Sequence, residues 1–385
     1  MRKEEVQIQS IAFGAEGVGR LDNKVCFIEG ALPGEKVVFE VLQDKKKYIR
    51  GKVLEVLEAS DDRTKPVCQY YGICGGCHYQ HISYEKELFY KQKQVDELIE
   101  KISKIKGFTC LDIVKSPCEY SYRSTVTLHR HKGKTGFFHE KTKNIVEISE
   151  CPVMEEPLSD KLKSISFSSK RNDITLKSDF EGRVWSSEGA GERFFKDKYR
   201  DKLLYFSPRA FSQANRSVAA KLSETLENWI GCTEENTAFF DLYCGVGFFG
   251  FLLNSNFSKV IGIDYERTAI DCAKTTLKEH NRENFKFYKA SVEQKFSEIY
   301  DRNKLKQNIL LVDPPRTGID GKLLENINNA EDVSKILYIS CDPAKLARDI
   351  GILSEKGKWK LNKVQPFDMF PKTKHIEVLA EFVRV

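Results

Sequence analysis

The sequence predicts a parallel β-sheet covered by helices, preceded by two β-rich segments. Three observations carry this expectation. From Arg209 onward, apolar runs of strand length alternate with helical periodicity, as in a parallel sheet with helices on its faces. One of those runs, Ala238–Leu242, leads directly into a Gly-rich turn, Cys244-Gly245-Val246-Gly247. Residues 1 to about 58 instead read as short, evenly spaced strands split by glycines, the pattern of a small barrel.

Length and composition agree. A chain of 385 residues suggests two or three domains, and 41% hydrophobic with 31% charged residues is ordinary for a globular protein. This excludes a collagen, a coiled-coil rod and a largely disordered chain. No apolar run approaches the ~20 residues of a membrane-spanning helix. The charged start MRKEEVQIQS has no apolar core after it, so a cytoplasmic location without membrane contact is expected. A net charge of +6 permits a nucleic-acid partner without demonstrating one. Eleven cysteines, an odd number at irregular spacing, argue against a disulfide scaffold and leave thiols for metal binding or catalysis.

Along the chain, Val6-Gln7-Ile8, Val25-Cys26-Phe27-Ile28 and Val37-Val38-Phe39-Glu40-Val41 supply the barrel strands. Lys45, Lys46, Lys47, Arg50 and Lys52 cluster beside Tyr48. A Cys- and Gly-rich stretch, Cys68 to His81, runs into an amphipathic helix over Tyr84 to about Lys106. Its apolar face is read as Leu88, Val95, Leu98, Ile99, Ile102 and Ile105, and it is expected to pack on the C-terminal domain. Residues 110–205 return to β patterning, with Lys163–Lys170 read as a surface loop. The expected parts are therefore 1–58, 59–205 and 206–385.

In the last part, Asp241 lies in the strand before the Gly turn, and Asp264 ends the next apolar strand, Lys259–Ile263. The turn lets backbone approach a ligand, and the strand-end acid can accept both hydrogen bonds of a ribose diol. A nicotinamide dinucleotide site would prefer a third glycine, where Phe248, Phe249 and Gly250 follow instead. The unit resembles the class I S-adenosylmethionine-dependent methyltransferases, which implies a Rossmann-like catalytic domain.

Two further strands carry polar residues at their carboxyl ends. Asn308–Val312 is followed by Asp313-Pro314-Pro315-Arg316. Lys335–Ser340 is followed by Cys341-Asp342-Pro343. Arg316 stands where amine methyltransferases place an aromatic residue, which argues against an exocyclic amine target. Asp342 and Pro343 form a helix start, and Cys341 just before it is expected to gain thiolate character. A thiolate is what methylation of a pyrimidine carbon requires. Its addition to C6 makes C5 nucleophilic, and a base must later remove the C5 proton. Glu377, in an otherwise apolar terminal strand, is the candidate base.

Ser340-Cys341-Asp342-Pro343, Asp313-Pro314-Pro315-Arg316-Thr317-Gly318, His375-Ile376-Glu377 and Phe211-Ser212-Gln213-Ala214-Asn215 resemble the motifs of the RNA uracil-5-methyltransferase family. The resemblance covers nearly the whole chain. It implies Cys341 as nucleophile and Glu377 as base. It implies Gln213, Tyr243, Gly245, Asp264 and Asp313 at the S-adenosylmethionine site, with Phe211 and Arg316 near the target base. Phe248 and Ser291 depart from the family pattern; Ser291 stands where an Asn or Asp often meets the adenosine. Cytosine-5 enzymes place their nucleophile in Thr-Cys, an arrangement this sequence lacks.

Cys68-x5-Cys74-Gly75-Gly76-Cys77 groups three thiolate donors, with Cys151, Cys110 or Cys118 as a fourth. Spacing alone leaves zinc and an iron–sulfur cluster open. The family resemblance implies a [4Fe–4S] cluster and selects Cys151-Pro152. His78 and His81 are read as packing or RNA contacts. Between Glu119 and Glu140, Arg123, Arg130, Lys132, Lys134 and three histidines interleave with Tyr120, Tyr122, Phe137 and Phe138, as suits phosphates and unstacked bases. Gly14-x-x-Gly17-x-Gly19 and Phe27-Ile28-x-Gly30-Ala31-Leu32-Pro33-Gly34-Glu35 resemble a TRAM domain, implying a small RNA-binding barrel. The combination favours 23S ribosomal RNA as partner over transfer RNA, and a monomer is expected. A transfer-RNA T-loop enzyme and a catalytically idle iron–sulfur RNA-binding protein are the alternatives.

Overall fold

The computed structural model describes residues 2–131, 133–164, 172–188, 194–254, 256–355 and 357–385. In chain order, the first five strands are β1 (Lys3–Ile11), β2 (Glu16–Leu21), β3 (Lys24–Glu29), β4 (Lys36–Asp44) and β5 (Tyr48–Glu58). Helix α1 (Tyr84–Ser103) follows, then β6 (Thr109–Cys110), β7 (Thr125–His131), β8 (Lys134–Phe138) and β9 (Ile145–Val146). Next come α2 (Glu156–Ser164), β10 (Asp173–Ser178), β11 (Val184–Ser186), β12 (Phe195–Tyr199) and β13 (Lys202–Phe206). The alternating region begins with α3 (Arg216–Ile230), β14 (Thr237–Leu242), α4 (Phe248–Leu252), β15 (Lys259–Asp264), α5 (Arg267–His280) and β16 (Phe285–Lys289). It ends with α6 (Val292–Asn303), β17 (Gln307–Val312), α7 (Gly321–Asn329), β18 (Val333–Ser340), α8 (Pro343–Glu355), β19 (Trp359–Phe367) and β20 (Glu377–Arg384).

Contacts divide the chain into two compact units. One comprises residues 1–94, 128–152 and 370–375, and the other 95–127, 153–369 and 376–385. In the first unit, β1–β5 close into a barrel in the order β1-β2-β3-β5-β4 around Val6, Ile8, Cys26, Ile28, Val37, Phe39 and Ile49. The interior leaves no room at Gly51, where a Cβ would lie 2.3 Å from the Phe39 ring. Glu35, fully buried, accepts from Arg63 at 2.5 and 2.7 Å and from the Leu32 N–H at 2.8 Å. The same unit holds the cysteine loop, the first half of α1, and the β8–β9 pair.

In the second unit, an eight-stranded sheet runs β16-β15-β14-β17-β18-β20-β19-β6. Strands β14 to β18 pair in parallel, and β20 is antiparallel to both β18 and β19. Strands β14, β17 and β18 are almost continuously apolar and buried, as expected when helices cover both faces. The reversal of strand order lies between β14 and β17, where open α/β sheets bind ligands at their carboxyl ends. Val95 and Ile99 of α1 join this sheet's core with no exposed surface.

Three expectations need correcting. The helix predicted to reach Lys106 stops at Ser103, because Lys104 takes a left-handed φ of 61° and the Ser103 hydroxyl accepts the Ile105 N–H. Its buried face is not purely apolar: Ile102 is exposed, while Glu87 and Lys91 are fully buried and paired at 2.7 Å, with the Lys372 ammonium 3.4 Å from Glu87. Helix α2 interrupts the region read as entirely β and takes in the start of the Lys163–Lys170 segment, whose residues 165–170 lie outside the described residues.

Candidate active site

The turn after β14 is built on left-handed backbone at Tyr243, Gly245 and Gly247, with φ of 64°, 54° and 78°. A Cβ at Gly247 would sit 2.8 Å from the Phe287 ring, so only glycine fits both the angle and the space. Asp264, at the end of β15, is clamped by backbone. Its Oδ2 accepts the Gly245 N–H and its Oδ1 the Glu266 N–H, both at 2.8 Å. Each oxygen retains a lone pair that a diol could use. Burial raises this carboxyl above its usual range.

The Tyr243 hydroxyl donates to Glu293 at 2.7 Å, and the Ser291 hydroxyl donates to the same carboxylate at 2.7 Å. Ser291 also caps α6 by accepting the Gln294 N–H at 3.3 Å. Its oxygen is thus already engaged with its own helix, and Glu293 is the acid that faces Tyr243. Burial opposes ionisation of Glu293, but the Tyr243 and Ser291 hydroxyls outweigh it and hold its carboxyl below the usual range. Sequence reasoning missed Glu293. The signal was an acid in the first turn of a helix following a parallel strand.

At the neighbouring strand ends, the Asp313 N–H donates to the Leu242 carbonyl at 3.2 Å, fixing the start of the Asp-Pro-Pro turn. Asp342 caps α8 as expected, accepting the Ala344 and Lys345 N–H groups at 3.0 and 3.1 Å. Ser340 of β18 pairs with Val378 of β20, so the adjacent residues Cys341 and Glu377 fall side by side at this edge. Glu377 opens β20 opposite Phe367 and is 7% exposed.

Charge couples these groups. Burial, then Glu377, pushes the Cys341 thiol up to about 11, and Arg316 pulls the other way. Burial, then Asp313, lifts Glu377 well above the ordinary carboxylate range, again opposed by Arg316. Burial and Asp264 raise Asp313 to about 7. Arg316 is the cation that opposes the upward shifts of both Cys341 and Glu377. Burial and the adjacent Glu377 carboxyl thus work against the expected thiolate character of Cys341.

Gln213 and Phe211 lie on the loop between β13 and α3. Gln213 is buried, and its carbonyl accepts from the Ser124 and Tyr199 hydroxyls at 3.4 and 3.5 Å. Phe211 is 71% exposed.

In the first unit, the Tyr71 N–H donates to the Cys68 carbonyl, the Cys74 N–H to the Tyr70 carbonyl and the Gly75 N–H to the Phe138 carbonyl. Burial pushes the Cys77 thiol up to about 12, and Cys151, Cys74 and Cys68 each add to it, so the four thiols share one neighbourhood. Cys110 lies instead in β6 at the edge of the large sheet, and Cys118 is exposed in the second unit. Among the described residues, no three His, Cys, Asp or Glu side chains are spaced to hold a single ion. Cys68, Cys74, Cys77 and Cys151 thus bring four soft thiol donors into one neighbourhood, the donor type that iron–sulfur clusters take. His78 and His81 are both buried.

The proposed RNA residues are only partly available. Tyr122 is 5% exposed and cannot stack on a base from outside. His129 and Phe138 stack on each other at 4.1 Å, with Phe138 exposed. Arg123 is partly buried and turns back on the Thr125 carbonyl at 3.1 Å, whereas Arg130 is exposed. Lys132 lies outside the described residues. On the barrel, Lys45, Lys46 and Lys47 are exposed at the β4–β5 turn. Arg50 pairs with Glu16 at 3.0 Å, and Lys52 donates to the Gly72 carbonyl at 2.9 Å.

Fold and site together define a methyltransferase whose strand ends place a cysteine beside a buried carboxyl. Residues 196–382 match the tRNA (uracil-5-)-methyltransferase family model, and residues 2–54 match the TRAM domain. An uncharacterised RNA methyltransferase of Bdellovibrio bacteriovorus is 31% identical, covering 98% of this chain and 94% of that protein. A 23S rRNA (uracil(1939)-C(5))-methyltransferase, RlmD, of Aliivibrio fischeri is 28% identical over 100% of this chain and 97% of its own. Among solved structures, the Pyrococcus abyssi tRNA (uracil-54, C5)-methyltransferase in complex with S-adenosyl-L-homocysteine shares the fold. Its TM-score is 0.74 at 23% identity, covering 99% of this chain and 100% of that one. The chain belongs to the RNA uracil-5-methyltransferase family: it is an S-adenosylmethionine-dependent enzyme that acts on uracil C5 in RNA and carries a TRAM domain.

Proposed function

We propose that the enzyme methylates a uracil of 23S ribosomal RNA through a covalent adduct with Cys341. The carrying observation is the pairing of β18 with β20, which sets Cys341 beside Glu377, with Asp313 and Arg316 acting on their charges. S-adenosylmethionine supplies an electrophilic methyl group. Cys341, on losing its proton, adds through sulfur to C6, and the C5=C6 electron pair moves into an enolate. After C5 has been alkylated, Glu377 takes the C5 proton, the C6–S bond breaks, the double bond re-forms and the thiolate is released. The burial that raises Glu377 also makes it a strong base once ionised. Arg316 favours both anions, and Asp264 and Tyr243 lie where the nucleoside end of the methyl donor is held. The exposed Phe211 ring stacks on the extruded base.

The full-length similarity to the Aliivibrio enzyme and the TRAM barrel support ribosomal RNA. Cys68, Cys74, Cys77 and Cys151 would hold a [4Fe–4S] cluster, a reading supported by the all-thiol donor set and the family's cysteine motif. The test is mass mapping of 5-methyluridine in ribosomal and transfer RNA from cells with and without the gene. Loss of the modified base from 23S RNA is expected, and loss confined to transfer RNA would reassign the substrate.

A further inference from the structure

Beneath the loop that carries Phe211 lies a set of buried charges that the chemistry above does not use. Lys177 of β10 is 2% exposed, and its ammonium donates to the carbonyl of Ala210, the residue directly before Phe211. Asp197 of β12 is 3% exposed, and its two carboxylate oxygens share the single Arg216 Nε–H, each at 3.0 Å. Arg216 also reaches Glu155 at 2.5 Å and the Ser178 carbonyl. On the far side of Phe211, the Ser212 hydroxyl meets Thr125 at 3.1 Å, and the Ala214 carbonyl accepts the Ser124 N–H at 2.8 Å. The loop backbone is thus fixed on both sides of a ring that is left mostly in solvent. A buried lysine spent on one carbonyl is a costly way to stabilise a loop. It is an effective way to aim the next side chain, because a charged donor makes a strong, directional bond.

We propose that Lys177 is a positioning residue: its ammonium holds the Ala210 carbonyl so that the Phe211 ring stands ready to stack on the target uracil. This deepens the reading of Phe211 given above. Burial pushes Lys177 down to about 8, with Cys272 of α5 and Asp197 of β12 facing it and pulling back. Arg216, Glu155, Asp179 and the Tyr199 hydroxyl also belong to the surrounding network. The hold should therefore weaken as pH rises through about 8.

The test uses the full-length enzyme and an RNA substrate established by the mapping above. Lys177→Met should raise the KM for RNA by about tenfold while leaving S-adenosylmethionine affinity unchanged. The native enzyme's RNA KM should climb above pH 8, and the variant's should not. Lys177→Met combined with Phe211→Ala should be no worse than Phe211→Ala alone, because the lysine acts through the ring. Additive penalties, or a pH step that survives in Lys177→Met, would overturn the proposal. A readout without RNA separates this proposal from the functional one. With Phe211→Trp, fluorescence anisotropy of the new indole should fall as pH passes about 8, and adding Lys177→Met should abolish that step. An anisotropy flat across pH 8 in the single variant refutes the tether whether or not methylation is observed.

Discussion

In the proposed mechanism Cys341 and Glu377 act at opposite ends of one covalent cycle, so their variants should fail differently. Cys341→Ala should transfer no methyl group. Glu377→Gln keeps the nucleophile but cannot remove the C5 proton, so it should stall as a methylated protein–RNA adduct. Denaturing electrophoresis with methyl-labelled S-adenosylmethionine should show a labelled adduct only for Glu377→Gln. Normal turnover by that variant would assign the base elsewhere. Cys341 must ionise before methyl transfer and its thiol is shifted upward, so single-turnover methyl transfer at saturating RNA should accelerate as pH rises beyond neutral. Arg316→Gln removes the opposing cation. It should move that rise to higher pH and slow transfer at neutral pH by roughly tenfold, the equivalent of one pKa unit. A profile that does not move would remove Arg316 from the charge balance. At this scale the strand-end positions of Cys341 and Glu377 were legible, because an acid or a cysteine at the end of an apolar strand has few structural excuses. Lys177 was not. In Asp173–Ser178 it reads as a polar position of an alternating strand, and only the tertiary fold covers it.

The barrel and α1 show the same division at the scale of elements. Glycines and short alternating runs announced β1, β3 and β4 of the barrel but not β2 and β5, and a single hydrophobic pattern marked the helix. Its buried pair Glu87–Lys91 was invisible because sequence periodicity assigns charged residues to solvent. The barrel also constrains how its RNA contacts can be tested. Deleting residues 1–58 would also strip Arg63 of its partner Glu35 and change the surface of what remains. The cleaner variant is Lys45→Ala with Lys46→Ala and Lys47→Ala. It should weaken RNA binding and flatten the salt dependence by about three phosphate contacts at most, with S-adenosylmethionine affinity unchanged. An identical slope would move the phosphate contacts elsewhere. For Glu35, burial opposes ionisation, but the Arg63 hydrogen bond and backbone N–H groups prevail and hold its pKa below the usual value of 4.5. Its contribution to stability is therefore present above that pH and lost as the solution is acidified through the lower, folded-state value. Circular dichroism of Glu35→Gln should show reduced stability at neutral pH and a shallower acid transition.

For the whole molecule, anaerobically purified protein should contain about four irons and four sulfides per chain if the four thiols hold a cubane cluster. Cys151→Ser should lose that iron and Cys232→Ser should keep it; stoichiometric zinc without iron would refute the assignment. One placement in the large sheet also concerns time. Its edge strand β6, Thr109–Cys110, pairs with Lys363–Val364, and Val95 and Ile99 are buried among residues as late as Phe382. At about 5–20 residues per second, a ribosome takes roughly 15–55 s to travel from residue 110 to the end of the chain. Throughout that interval the apolar face around Val95 and Ile99 has emerged before the strands that will cover it. Synthesis thus exposes this apolar helix face well before β19 and β20, the strands of the sheet latest in the chain.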